Sequence, residues 1–154
     1  MNAHQTSYYT SVNRASQGNY PQKVRPNTKS SPEATACLTE IVLTGFGSSI
    51  DMVMPMLASV SQQCSSKWLT WIGKGAPHKA LVYRYNVNTS RLRTIQIEHN
   101  DEMLWCLWEC LTNGTSNTVV ACIDDLKEAD RKKLEQACAI GNTNAIILRQ
   151  RASN

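Results

Sequence analysis

The chain has 154 residues, 42% of them hydrophobic, which suits one domain with a tail to spare. Its net charge of +4 is mildly basic, but much of the excess lies in the first 35 residues and at the last few, so it reads as solvated surface rather than a specific nucleic-acid footprint. No run is apolar enough to span a membrane and Met1 to Tyr9 is too polar for a secretory signal, so a cytoplasmic protein with reduced thiols is expected.

Residues 1–35 are rich in Ser, Asn, Gln, Thr and Tyr, poor in aliphatics, and punctuated by Pro21, Pro26 and Pro32. Such a stretch cannot bury enough apolar surface to offset its ordering entropy, and a disordered tail is expected. Its cations, Arg14, Lys23, Arg25 and Lys29, are too dispersed for a strong basic patch. Residues 36–150 are expected to form the domain, with 151–154 a short flexible end.

Leu38 to Leu43 reads as a strand and Thr44 to Ser49 as a turn. Met52 to Gln63 is apolar at Met52, Met56, Leu57 and Val60, which suits a helix with Pro55 in its first turn or at a kink. Trp68 to Ile72 is a second strand, with Trp68 and Trp71 facing opposite sides. Pro77 to Arg84 is a short helix with proline at a tolerated early position. Leu92 to Ile97 is a third strand. Asn100 caps a helix carrying Asp101 and Glu102 in its first turn and Met103, Leu104, Leu107, Trp108 and Leu111 as its apolar stripe, ended by Gly114.

Thr118 to Ile123 is a near-continuous apolar strand of the kind covered on both faces in parallel sheets. Asp125 with Glu128 resembles a capping box for a helix through Ile140, stopped by Gly141. Asn144 to Leu148 is the last strand. Strands alternating with helices about five times predict a parallel α/β sheet flanked by helices.

The six cysteines form no CxxC pair. Cys106 and Cys110 share a helix face, with His99 just before that helix, but no further ligand follows, so the thiols read as small apolar fillers.

In parallel sheets ligands sit beyond the carboxyl ends of the strands. A phosphate loop needs lysine and a hydroxyl residue behind its glycines, whereas Gly45 to Asp51 has no lysine and ends in a carboxylate. The second strand ends Ile72-Gly73-Lys74, without an activating acid. The fourth ends Ile123-Asp124-Asp125, which reads as a helix cap in the absence of the other parts. His78 and His99 lie in connectors, and no nucleophile elbow appears.

The order of parts from Lys67 to Leu126 resembles the RecA-type core, with Asn86 to Leu92 as the connector into its third strand and Asn86 where glycine is usual. Within that layout residues 38–149 resemble the SulA family of SOS-induced cell division inhibitors. Met54-Pro55-Met56-Leu57 leading to Gln62-Gln63 is similar to the family's Pro-containing helix with a terminal glutamine pair. Lys67-Trp68-Leu69-Thr70-Trp71-Ile72 is similar to its tryptophan strand. Asp124-Asp125-Leu126, Gly141-Asn142 and Ile146-Ile147-Leu148-Arg149 match its second half.

The resemblance implies a truncated RecA-like sheet without a phosphate loop, no cofactor, no catalysis, and binding to FtsZ that blocks its polymerisation and septum formation. The family's partner-binding positions fall at Lys67, Ile72, Leu81 (where the family often carries tryptophan) and Arg91. Apolar anchors ringed by cations suit a partner surface with an acidic rim. A homodimer and turnover by Lon protease are further implications, although Gln150 to Asn154 is shorter than the tail that relatives associate with Lon. A degenerate RecA-like accessory of damage tolerance, similar to ImuA and binding a polymerase or recombinase, is the alternative. The missing lysine and carboxylate predict no phosphate release from ATP or GTP in a colorimetric assay; turnover abolished by Asp124→Asn would overturn that reading.

Overall fold

The computed structural model describes residues 35–44 and 49–151. The expected tail up to residue 34, the glycine turn at 45–48 and the end at 152–154 lie outside the described residues. The elements run β1 (Leu38–Thr44), α1 (Ser49–Gln63), β2 (Trp68–Gly73), α2 (Lys79–Arg84), a single 3-10 turn (Thr89–Arg91), β3 (Leu92–Gln96), α3 (Asn100–Thr112), β4 (Ser116–Cys122), α4 (Glu128–Gly141) and β5 (Asn144–Arg151).

All five strands pair in parallel, in the order β1-β5-β4-β2-β3. Parallel pairing forces each connection to cross one face of the sheet, and right-handed crossovers choose which face. The chain moves toward β3 through α1 and α2, then back through α3 and α4. The two pairs therefore cover opposite faces. Val53, Met54 and Leu57 of α1 and Val82 of α2 pack with Leu69, Trp71, Val120 and Ile146 on one face. Met103, Leu107 and Leu111 of α3 and Leu134 and Cys138 of α4 pack with Ile72, Val119, Ala121 and Ile147 on the other. Among the described residues no helix is long and apolar enough to cross a membrane.

Local readings change in instructive places. Pro55 lies in the second turn of α1, on its exposed side, so the missing amide leaves the core contacts intact. The buried stripe of that helix is Val53, Met54 and Leu57, while Met52 is 81% exposed. In α3 the stripe is Met103, Leu107, Cys110 and Leu111, and Trp108 lies on the surface. Asn100 is the first helical residue rather than the cap; His99 takes that place, and the Asn100 amide donates to the Asp125 carbonyl at 3.3 Å. Asp125 and Glu128 form no capping box, because the cap of α4 is Lys127 and the Asp125 carboxylate lies 3.9 Å from Arg149 Nη2.

Gly141 is the last helical residue of α4, and Asn142, at φ 47°, makes the left-handed turn that ends it. The glycine serves a different purpose from helix termination. A Cβ there would stand 1.7 Å from the Leu111 carbonyl oxygen, so α3 and α4 close together only where one backbone touches the other. Neither backbone can yield without breaking its own helix. Gly141→Ala is expected to cost about 3 kcal/mol, seen as a lower urea midpoint with the slope unchanged.

Three cysteines packed against the two faces of the sheet ionise late. Burial pushes Cys122 up to about 11, with the Asp124 carboxylate adding to it. Burial pushes Cys138 to about 11, and Cys37 adds to it. Cys106 is also near 11, from burial and then from Cys110. Above the ordinary value of 9.0 the unfolded chain releases these protons while the folded chain holds them, so stability falls as pH rises from there to about 11. Melting curves across that range are expected to move downward, by less in a Cys122→Ala/Cys138→Ala double variant. Exposed Cys37 is expected to be the first thiol alkylated at mildly alkaline pH.

Candidate partner-binding site

In this sheet the chain leaves β2 and β4 in opposite directions, α2 onto one face and α4 onto the other. The crevice between their carboxyl ends is the topological switch point, where open α/β sheets place ligands. Here it is bridged. Lys74, just after β2, donates to Asp124, just after β4, at 3.0 Å. That hydrogen bond, then the carboxylate charge, raises the Lys74 pKa. The pair is exposed, so it adds little stability, but it gives Asp124 a cation partner in place of a capping role. Alongside, the Trp71 indole donates to the Gly75 carbonyl at 2.8 Å, fixing the chain as it leaves β2. β1 is an edge strand, separated from β4 by β5, so its carboxyl end is not at the switch point.

The opposite edge, where strands begin, carries a different surface. Lys67 immediately precedes β2 and Arg91 immediately precedes β3. Because Leu69 pairs with Leu92 in register, Arg91 falls beside Trp68, and its guanidinium carbon stands 5.7 Å from the Trp68 ring centroid. Such a cation–π contact contributes about 0.5–1 kcal/mol at an exposed site. The connector into β3 is fixed from α1. Gln62 donates its amide to the Asn86 carbonyl at 3.1 Å, and the Ser61 hydroxyl accepts from the Asn88 amide at 2.9 Å. Asn86 sits at φ 54°, the left-handed region that favours glycine. Asn88 then caps the 3-10 turn through the Ser90 amide at 3.2 Å.

A third cation lies one step along β3. Arg93 donates from Nε to Thr70 at 2.8 Å, and from Nη2 to Thr115 at 2.9 Å and Ser116 at 3.1 Å. Thr70 and Ser116 are fully buried and bonded to each other at 2.8 Å. Arg93 is thus a structural cation that satisfies buried hydroxyls. Among the described residues Lys67 and Arg91 form no ion pair. Lys67 also borders a polar cleft of about 350 Å³ that includes Ser65, Ser66, Asn117 and Asn144.

The four positions singled out from the sequence do not form one surface. Lys67 and Arg91 share the amino edge, both half-exposed. Ile72 is fully buried in the core beneath α3, in keeping with a core role for that residue. Five residues of strand separate it from Lys67, about 16 Å at the usual rise, so it stands at the other end of β2. Leu81 is half-buried and packs inward with Val82 and Leu92. The apolar residue that does accompany the two cations is Trp68, readable in the sequence only as one of two tryptophans on opposite faces. Trp71 is the buried one, at 4%. The cleft residues were invisible, since the α1–β2 connection, the start of β4 and the α4–β5 turn are brought together only by the fold. Among the described residues no three His, Cys, Asp or Glu side chains converge on a common point.

No family model matches the chain. It is 30% identical over 127 residues to the cell division inhibitor SulA of Pseudomonas aeruginosa, covering 79% of this chain and 77% of that protein. Its fold superposes on the crystal structure of SulA from Pseudomonas aeruginosa with a TM-score of 0.67 at 29% identity, covering 74% of this chain and 98% of that one. On this identity and coverage, the chain belongs to the SulA family of cell division inhibitors.

Proposed function

We propose that this chain inhibits division during the SOS response by binding FtsZ subunits in the cytoplasm through the amino edge of its sheet, without catalysis. Membership of the SulA family supports the inhibitory role. The observation that carries the surface is the trio Lys67, Trp68 and Arg91: two cations without counter-charge flanking one half-exposed indole. An aromatic anchor beside unneutralised cations fits a partner with an acidic rim. Occupying a polymerisation face is sufficient to cap a filament or deplete free subunits, so no turnover chemistry is required. The Lys74–Asp124 bridge across the switch point supports the same reading, because the usual ligand crevice already holds an internal ion pair.

Arg91→Glu tests it. Like charge against an acidic rim is expected to weaken association by on the order of 1–4 kcal/mol. Folding is expected to lose only the ring contact, about 0.5–1 kcal/mol. FtsZ sedimentation beside a melting curve separates the two effects. A folded Arg91→Glu variant that still blocks FtsZ assembly at wild-type concentration would remove Arg91 from the interface.

A further inference from the structure

The outer face of α3 is built unlike the rest of the molecule. Trp105 is 65% exposed and Trp108 36%, and their rings stack with centroids 5.8 Å apart and planes 22° from parallel. On a helix surface the neighbours of residue i are i±3 and i±4. For Trp105 these are Asp101, Glu102, Trp108 and Glu109, so the more exposed indole is ringed by three carboxylates and one further indole. All three acids are exposed, and none forms an ion pair among the described residues. α3 contains no Lys or Arg, although the chain as a whole carries +4.

This surface discriminates by charge among possible occupants. An anionic membrane or a nucleic-acid backbone is repelled by the three carboxylates. A second copy packing this face on itself about a two-fold axis would set those carboxylates against their equals. A cation is attracted twice, by the carboxylates and by the negative face of the indole, the best of the aromatic rings for that contact.

We propose that the Trp105–Trp108 face of α3 is a second protein-binding surface, which takes a helical or extended partner segment bearing Lys or Arg beside apolar side chains. It is independent of the amino-edge site, which is cationic and calls for a partner of the opposite sign. The cation settles over the Trp105 ring between Asp101, Glu102 and Glu109, and the apolar residues of the segment cover Trp108. The stacked pair is already ordered, so little side-chain freedom is lost on binding.

The test uses the full chain and a fluorescein-labelled amphipathic Lys/Leu peptide, with a Glu/Leu peptide as its charge-reversed control. The Lys peptide is expected to raise anisotropy saturably and perturb tryptophan emission, while the Glu peptide does neither. Trp105→Ala/Trp108→Ala is expected to weaken binding about tenfold or more. Asp101→Asn/Glu102→Gln/Glu109→Gln, which keeps both indoles, is expected to weaken it severalfold and flatten its salt dependence, and it decides the matter if the double alanine variant melts early. Arg91→Glu is expected to bind the peptide like wild type, which keeps this result separate from the fate of the FtsZ reading. Absence of binding, or binding unchanged in both α3 variants, overturns the proposal. So does concentration-dependent self-association in sedimentation equilibrium that the double alanine variant abolishes, which would assign the face to a second copy.

Discussion

β2 and β4 lie side by side in the sheet with helices over both faces, and this confines what these strands can present to their ends. Leu69, Trp71, Ile72, Val119, Val120 and Ala121 are all buried, so no mid-strand side chain reaches a ligand or a partner. The two ends are then physically different places. The carboxyl ends diverge into helices on opposite faces and leave a crevice, here crossed by Lys74 and Asp124. The amino ends receive α1 and α2 as they return, and those helices arrive carboxyl end first. Their partial negative charge favours cations, and Lys67 and Arg91 stand where these two connections enter the sheet.

How Arg91 comes to face Trp68 shows local sequence acting through tertiary contacts. α2 has only six residues, fewer than two turns, and carries the chain only part of the way back to the amino edge. The remaining distance is covered by Asn86 to Ser90, a segment with one residue in the left-handed region and a side-chain cap at Asn88. Nothing in that segment alone fixes its position. Gln62 and Ser61 at the end of α1 bond its backbone, and register with β2 does the rest. The glutamine that resembles a family signature therefore acts on the placement of the cation nearly thirty residues later.

The parallel α/β class, the element order and the polar nature of the connectors were legible because period two and period 3.6 are strong signals over these lengths. The strand order was not, since it depends on which strand each crossover joins. Residues at stripe margins were misread for one reason. Met52 and Trp108 adjoin buried neighbours in sequence, but adjacent helical positions differ by about 100°, enough to carry a side chain from core to solvent. Ile72 was open between core and surface in the sequence, because its place came from resemblance by position, and a position says nothing of the strand length that separates it from Lys67. Gly141 looked like a stop signal, while its reason is the Leu111 backbone across the helix contact, which no local pattern reveals.

The three cations of the amino edge are held very differently. Arg93 satisfies the fully buried Thr70 and Ser116 hydroxyls, so its removal would leave a polar network short of a donor. It supports the strand ends on which the others sit. Arg91 is held by the Trp68 ring and by a connector pinned to α1, so its rotamer freedom is already reduced before any partner arrives. Lys67 has no described partner and retains its freedom. Ordering a long side chain at an interface costs about 0.5–1.5 kcal/mol, and that cost falls on Lys67 more than on Arg91. Two cations of equal formal charge at one edge therefore differ in what they can contribute. Arg91 presents a fixed planar fork that can meet a carboxylate bidentately, and Lys67 presents a mobile point charge suited to the rim.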